Sequence, residues 1–407
     1  MAHTDTAEQA TEKTVVLAFS GGLDTSYCVL ELIRRGYRVV TVYVDTGGAD
    51  DAEVQAIEQR ATDLGAARHH TLNAADDLWR EFVIPLLYSG ARFQGQYPLL
   101  CSDRYVIVRR CLQLCDELGA RLFAHGCTGM GNDQMRFDQT VRSLGDYQII
   151  APIRELQAEV RDVRGHEEQV LADAGFPVSA TSKRYSVNEN LLGVTWSGSE
   201  IDAYQAPAAD AWRLCQPREN WPDGPLRVTL SFNAGAVTAI DGQALPGPAL
   251  LASLNQQFGA YGVGKHIYTG DVTVGLKGRI LFECPGITAL LTAAQALIEV
   301  VSTRYQNQFR HIIAARWAEL VYSGFFYEPH KLDLEAYLHS AARQATGEVT
   351  LETQGGQVLA VAVDTPNLLQ DPDAVYAQRA SWTPQEAEGF IKLSGMSSTM
   401  AARVRRQ

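Results

Sequence analysis

The sequence predicts an α/β protein, a doubly wound parallel sheet followed by an α+β domain and a short C-terminal helical tail. Three observations carry this. From Thr14 onward, apolar β-branched runs alternate with amphipathic helical stretches. Glycine-rich turns stand where two of those runs end. After about Ala180 the pattern changes to alternating strands, Gly and Pro turns and longer helices.

In chain order, TVVLAFS from Thr14 has the continuous apolar, β-branched character of a buried strand, and SGGLDTS breaks it. YCVLELIRRG then reads as an amphipathic helix ending at Gly36. YRVVTVYVDT gives a second strand, VQAIEQRATDLGA a second helix and ARHHTLN a third, short strand. RYVIVRRCLQLCDELGA is a further helix and RLFAHG a further strand, with the glycine-rich CTGMGNDQMRF at its end. Ligands of open α/β sheets bind at the carboxyl ends of strands, so both turns are expected to face one cleft. Beyond Ala180, LRVTLSF and GAVTAI read as strands and Thr292 to Val321 as helical. GEVTLETQGGQVLAVAV reads as a hairpin around Gly355 and Gly356. The expected organisation is a disordered start at 1–12, a nucleotide-binding domain at 13–180, a substrate domain at 181–380 and an oligomerisation tail at 381–407.

Composition narrows the function. The 407 residues are 46% apolar and 20% charged with a net charge of −12, a globular balance without a broadly basic surface. Nucleic acid is therefore not an expected partner. No apolar run approaches the roughly 18 residues of a membrane span. The first dozen residues have neither the apolar core of a signal peptide nor the arginines of a transit peptide, which gives a cytoplasmic expectation. The seven cysteines form no CxxC pair, so reduced thiols are expected and a zinc site is not.

The SGGLDTS segment, residues 20–26, carries the chemistry. Gly21 and Gly22 let the backbone approach an anion, the hydroxyls of Ser20, Thr25 and Ser26 add donors, and the following helix supplies its positive end. The kinase-type GxxxxGK(S/T) pattern is absent. A loop of the SGGxD type is expected to bind the phosphates of ATP for cleavage between α and β, releasing pyrophosphate and adenylating a substrate. Asp24 fits either of two roles, holding Mg2+ between phosphate oxygens or capping the helix.

AFSGGLDTS, residues 18–26, resembles the signature of argininosuccinate synthases, and GCTGMGNDQMRF, residues 126–137, resembles that family's second signature. YSVNENLLG near Tyr185, GVGKH near Gly262, AELVYSGFF near Ala318 and EGFIKL near Glu388 extend the similarity over nearly the whole chain. The resemblance implies a pyrophosphatase-loop domain of the adenine nucleotide alpha hydrolase-like type, a synthetase domain and a homotetramer. It also implies a reaction. The ureido oxygen of citrulline attacks the α-phosphate of ATP, and the amino group of aspartate then displaces AMP. By position it implies ATP contacts at Ala18, Phe19, Ser20, Gly21, Gly22, Asp24, Thr25, Ser26, Val44 and Gly126. Aspartate would meet Thr128, Asn132 and Asp133, and the citrulline-like acceptor Tyr97, Ser102, Arg136, Ser186 and Thr195. No catalytic triad is needed, since such chemistry rests on positioning and charge stabilisation.

The family pattern is broken at several places near the acceptor. Met130 stands for a lysine, Gly270 for a citrulline-contacting glutamate with Asp271 one residue on, and Phe282 for a contacting tyrosine. Asn188 replaces an aspartate, and DRYV, residues 103–106, replaces a LARP-like run. These departures raise a second expectation, an aspartate ligase for a different ureido or amide acceptor. Two further alternatives are a tRNA sulfur-transfer enzyme, which would need an activated Cys101 or Cys127, and an inactive nucleotide-binding relative.

Overall fold

The computed structural model describes residues 13–176, 185–208 and 211–406. The expected disordered start and the expected boundary at 180/181 lie outside these residues. The chain forms two compact units that meet between Pro366 and Asn367.

In the first unit, β1 (Thr14–Ala18), β2 (Arg38–Asp45), β3 (Arg68–Asn73), β4 (Leu122–Ala124) and β5 (Gln148–Ile150) form a parallel sheet in the order β3-β2-β1-β4-β5. Every residue of β1 is buried because both faces are covered. Val15 and Leu17 pack with helix α1 (Leu23–Arg34), with Ala61 of α2 (Asp51–Asp63) and with Ile153 and Leu171. Val16 and Ala18 pack on the other side with Phe82, Leu86 and Val108 of the helices that follow β3. This is the period-two alternation of a strand between two helical layers. Helix α2 begins earlier than its apolar pattern suggests, because Asp50 and Glu53 form a capping box.

The stretch after β3, which the sequence reading leaves unassigned, is helical from Ala75 to Ser89. Pro85 argues against a helix there. A π-helical turn at Trp79–Val83 absorbs the irregularity, and the proline falls in the first turn of the segment Ile84–Ser89.

Strand order reverses between β1 and β4, so the crevice for a ligand opens at their carboxyl ends. Residues 20–26 follow β1, and residues 126–137 follow β4, running into helix α4 (Asp133–Leu144), which packs beside α3 (Asp103–Leu118).

The remainder of this unit adds two antiparallel sheets. One runs β11 (Lys265–Asp271), β12 (Lys277–Glu283), β7 (Gly193–Ser197), β6 (Ser186–Asn190). The other runs β10 (Gln243–Ala244), β9 (Ala236–Ile240), β8 (Leu226–Asn233), β13 (Gly347–Gly355), β14 (Gln357–Asp364). The expected hairpin is β13–β14, turning at Gly356 with φ +72. The helical stretch expected from Thr292 is two helices, Pro285–Val301 and Arg304–Tyr322. The first starts earlier because a proline opens it. One continuous core joins these elements to the second face of the parallel sheet.

The second unit holds helices Pro384–Ser394 and Met396–Val404, neither with a buried residue. It starts at Asn367, ahead of the tail expected from 381. No helix among the described residues is long and apolar enough to cross a membrane.

Candidate active site

The phosphate loop is organised by its own small side chains. Gly21 takes φ +73, where a larger residue would be strained, and a Cβ there would stand 3.1 Å from Ile57, while Gly22 is extended. The Ser20 N–H donates to Thr25 Oγ1 at 3.4 Å, and the two hydroxyls lie 3.2 Å apart. The Gly22 N–H reaches Ser20 Oγ at 3.4 Å, and Ser26 Oγ donates to the Gly21 carbonyl. Gly22 precedes α1 without a side-chain cap, so the amides opening that helix remain free for an anion. Ala18, Phe19 and Val44 are buried at the strand ends around the loop. A Cβ on Gly126 would stand 3.2 Å from Thr25 and 3.3 Å from Asp24, so the second glycine-rich turn lies directly against the first.

Asp24 occupies the first turn of α1 and does not cap the helix with its side chain. Burial raises its pKa, with Arg164 opposing. Behind it stands Glu167, on the helix Val163–Asp173, buried to 2% exposure and with Oε1 lacking a hydrogen-bond partner. Burial first, and Asp24 second, push Glu167 up to about 8. Its folded value lies above the ordinary 4.5, so the folded chain keeps a proton that the unfolded chain releases. Stability attached to this group is present below the ordinary value and lost as pH rises toward 8. Glu167→Gln should therefore match the parent near pH ~4 and exceed it near pH ~8 by about 1–3 kcal/mol. Urea unfolding at both pH values checks this, and an equal difference at both would remove the buried proton.

The second loop leads into a chain of alternating charge, buried at Asp103, Arg104 and Arg136 and part-exposed at Asp133. Asp103 and Arg104, from the departure DRYV, pair at 2.7 Å. Arg104 Nε reaches Asp133 Oδ2 at 3.2 Å, and Arg136 Nη1 reaches Asp133 Oδ1 at 2.7 Å. Burial works against the Asp133 charge, but Arg104 and then Arg136 outweigh it and hold the carboxyl down to about 2. The remaining fork of Arg136 is closed, since Nε and Nη2 donate to the Tyr322 carbonyl at 3.1 and 2.9 Å. Asn132 spans the cleft, donating to Tyr322 Oη at 2.9 Å and accepting the Thr273 N–H at 2.8 Å. Thr128 lies half-buried on the same turn, while Met130 is 71% exposed.

Of the acceptor positions, Tyr97 is buried and packs edge-on against Phe282 at 5.2 Å and Tyr322 at 6.3 Å. Ser102 is buried with its hydroxyl on the Leu99 carbonyl at 2.8 Å. Thr195 pairs across strands with Phe282 on one side and Asn188 on the other, so these three share one face of the sheet. Ser186 lies two residues before Asn188, exposed at the start of β6. Gly270 has no room for a side chain, because a Cβ there would overlap Gln94 Oε1 and Tyr268 Oη. Asp271 is held by Gln94 Nε2 at 2.7 Å and by Lys277.

Sequence reasoning missed Arg104, Tyr322, Phe93, Gln94 and Thr273. DRYV registered there only as a lost motif, although an adjacent Asp and Arg inside an apolar helix already signal a paired, buried charge. Nothing local marks Tyr322, which reaches Asn132 across 190 residues of sequence. All seven cysteines are free, and burial raises the Cys101 and Cys127 thiols, the opposite of an activated thiolate. Among the described residues, no group of three or more His, Cys, Asp or Glu is placed to hold a metal.

Comparison with known proteins adds an independent line. Family models described as "Arginosuccinate synthase N-terminal HUP domain" and "Arginosuccinate synthase C-terminal domain" match residues 14–168 and 185–401. A protein named argininosuccinate synthase from Xanthomonas campestris pv. campestris is 55% identical over 394 residues, covering 97% of this chain and 99% of that one. One of the same name from Xylella fastidiosa is 53% identical, covering 97% and 98%. Another from Methanocaldococcus jannaschii is 34% identical over 400 residues, covering 96% and 98%.

Proposed function

Because this chain belongs to the argininosuccinate synthase family, we infer that it is an ATP-dependent carbon–nitrogen ligase joining citrulline to aspartate, with release of AMP and pyrophosphate. The observation that carries the reading is the approach of the two glycine-rich loops, with Gly126 against Asp24 and Thr25. It brings a triphosphate held on residues 20–26 within reach of an amino acid held on residues 128–133. The different-acceptor alternative draws no support from the relatives, which carry the citrulline enzyme's name at high identity.

In this reading Ala18, Phe19, Val44 and Gly126 wall the nucleotide. The loop amides and the Ser20, Thr25 and Ser26 hydroxyls take its phosphates. The citrulline ureido oxygen attacks the α-phosphorus and pyrophosphate leaves. The aspartate nitrogen then attacks the ureido carbon and AMP departs with the oxygen. Thr128 and Asn132 suit the aspartate carboxylates, and Asp133, ionised at any physiological pH, suits its ammonium group. Each Asp133 oxygen keeps a lone pair beyond its arginine bond. Arg136 fixes Asp133 and Tyr322 through Nε, Nη1 and Nη2 and keeps one further N–H on each Nη for the acceptor. Tyr97, Ser102, Ser186 and Thr195 frame the acceptor side.

Mg2+ arriving with the nucleotide fits Asp24, because one carboxylate plus phosphate oxygens is an ordinary magnesium donor set. Bound there, it would neutralise phosphate charge. Exposed Phe390, Ile391, Leu393, Met396 and Met400 on the C-terminal helices support a homo-oligomer, a tetramer by resemblance. The partners are small molecules rather than nucleic acid or membrane, and the compartment is the cytoplasm.

The test uses citrulline labelled with 18O in the ureido group, together with ATP and aspartate. Equal amounts of AMP, pyrophosphate and argininosuccinate are expected, with the label in AMP. Pyrophosphate release with another ureido or amide compound and not with citrulline would overturn the acceptor assignment.

A further inference from the structure

Beside Tyr322 lies a cavity of about 410 Å3 lined by, among others, Arg92, Phe93, Gln94, Thr273, Glu319 and Tyr322. Its size is within the ~300–1,000 Å3 typical of small-molecule sites. It adjoins the loop assigned to aspartate, because Asn132 bonds both Tyr322 Oη and the Thr273 N–H. One part of its lining is flat and apolar, formed by Phe93 and Tyr322 stacked at 3.7 Å and 9°. Tyr97 packs edge-on against the same Tyr322 ring.

A carboxylate bound near this wall needs a cation with free donors. Each Arg136 nitrogen already bonds Asp133 or the Tyr322 carbonyl, which leaves only the second hydrogens of Nη1 and Nη2. Arg104 spends Nη1 on Asp103 and Nε on Asp133. Arg92 is different. It is the one arginine lining the cavity, it is half-buried, and among the described residues its guanidinium has neither a hydrogen bond nor an ion pair. Burial pulls its pKa down, as expected of a cation without a counter-charge, and the imidazole of His266 is pulled down by burial and by Arg92. A half-buried arginine with an empty fork is costly to leave unpaired and matches a carboxylate in bidentate fashion. Glu319 is an acid among the same lining residues, paired with Arg316 at 2.8 Å.

We propose that Arg92 is the anion receptor of the acceptor site, binding the α-carboxylate of citrulline in the cavity beside Tyr322. The proposal rests on the citrulline reading above and adds a specificity-determining residue to it. Arg92 selects acceptors that carry a carboxylate at the end remote from the ureido group, and it leaves aspartate and ATP to the two loops.

Steady-state kinetics of Arg92→Leu and Arg92→Lys in the full-length protein test it. In Arg92→Leu the KM for citrulline should rise about 10- to 100-fold, the range of a lost charge-assisted hydrogen bond. The KM values for aspartate and ATP should stay within about twofold, and Arg92→Lys should recover part of the loss. Citrullinamide, which lacks the carboxylate, should be a poor acceptor for the parent, and Arg92→Leu should barely distinguish it from citrulline. A parental citrulline KM in Arg92→Leu, or a rise confined to aspartate, overturns the proposal while leaving the ligase reading intact. Failure of the parent protein to make argininosuccinate from citrulline would instead overturn the ligase reading. Arg92 has no protein partner to strand, so the variant should fold, and thermal melting checks that. Should it not, Arg92→Gln carries the same readout.

Discussion

Replacing Asp24 with asparagine should lower kcat by about 100- to 1,000-fold, the cost of removing one preorganised electrostatic contact from a phosphate-transfer site. The two side chains have the same shape, so the first turn of α1 is undisturbed and only the charge is lost. That charge is placed against the fold's own interest. Burial already raises the Asp24 pKa, and Glu167 stands behind it as a second acid. A carboxylate held there against burial gains further stabilisation from a cation that arrives with the nucleotide. Stability should consequently move the other way from activity, with Asp24→Asn at least as resistant to urea at neutral pH as the parent. Initial rates of pyrophosphate release and urea unfolding on the same preparation measure both. A kcat within threefold of the parent would end the assignment of Asp24 to the phosphate site.

Replacing Arg136 with methionine should destabilise the protein by about 1–3 kcal/mol and abolish activity, since a buried carbonyl loses both its donors and Asp133 loses one of its two arginines. The side chain is 4% exposed and holds three acceptor contacts, two of them to a backbone carbonyl that has no solvent to turn to. Its loss also frees one oxygen of Asp133, so the Asp133 pKa should rise from about 2 toward the ordinary carboxylate range. Arg136→Lys separates the roles. Lysine keeps the charge beside Asp133 but cannot present the Nε and Nη2 fork to Tyr322. Such a variant should fold with a smaller deficit and show a raised KM for aspartate. Urea midpoints for both variants, with aspartate kinetics for the lysine form, are the measurements. Parental kinetics in Arg136→Lys would show that the Tyr322 contact does not support the site.

The parallel sheet and its phosphate loop were legible because their determinants are local. Strand, glycine turn and helix stand side by side in residues 14–34, and the apolar period changes at each junction. The second glycine turn was equally readable from its place after β4. Less of the acceptor side could be read. Its parts come from Phe93 and Tyr97, Asn132, Thr195, residues 270–282 and Tyr322, brought together by packing between sheets and helices far apart in sequence. Arg136 illustrates the limit. Its residue type suggested a guanidinium beside a substrate, and only the geometry revealed that it also braces Asp133 and the Tyr322 carbonyl. Arg92 is the converse case, an arginine in a plain stretch of sequence that the fold leaves without a partner.

Gly270 leaves room for a tie between neighbouring side chains. The space a side chain would need at that position is taken by the Gln94 amide and the Tyr268 hydroxyl, which are themselves tied to Asp271. A glutamate placed there alone would meet the Gln94 amide and the Tyr268 hydroxyl, whereas replacing Gln94 removes one partner from each, Lys277 still holding Asp271 and the Asp271 carbonyl still accepting from Tyr268. The bare backbone at position 270 thus trades a side chain for a tie between residues 94, 268 and 271.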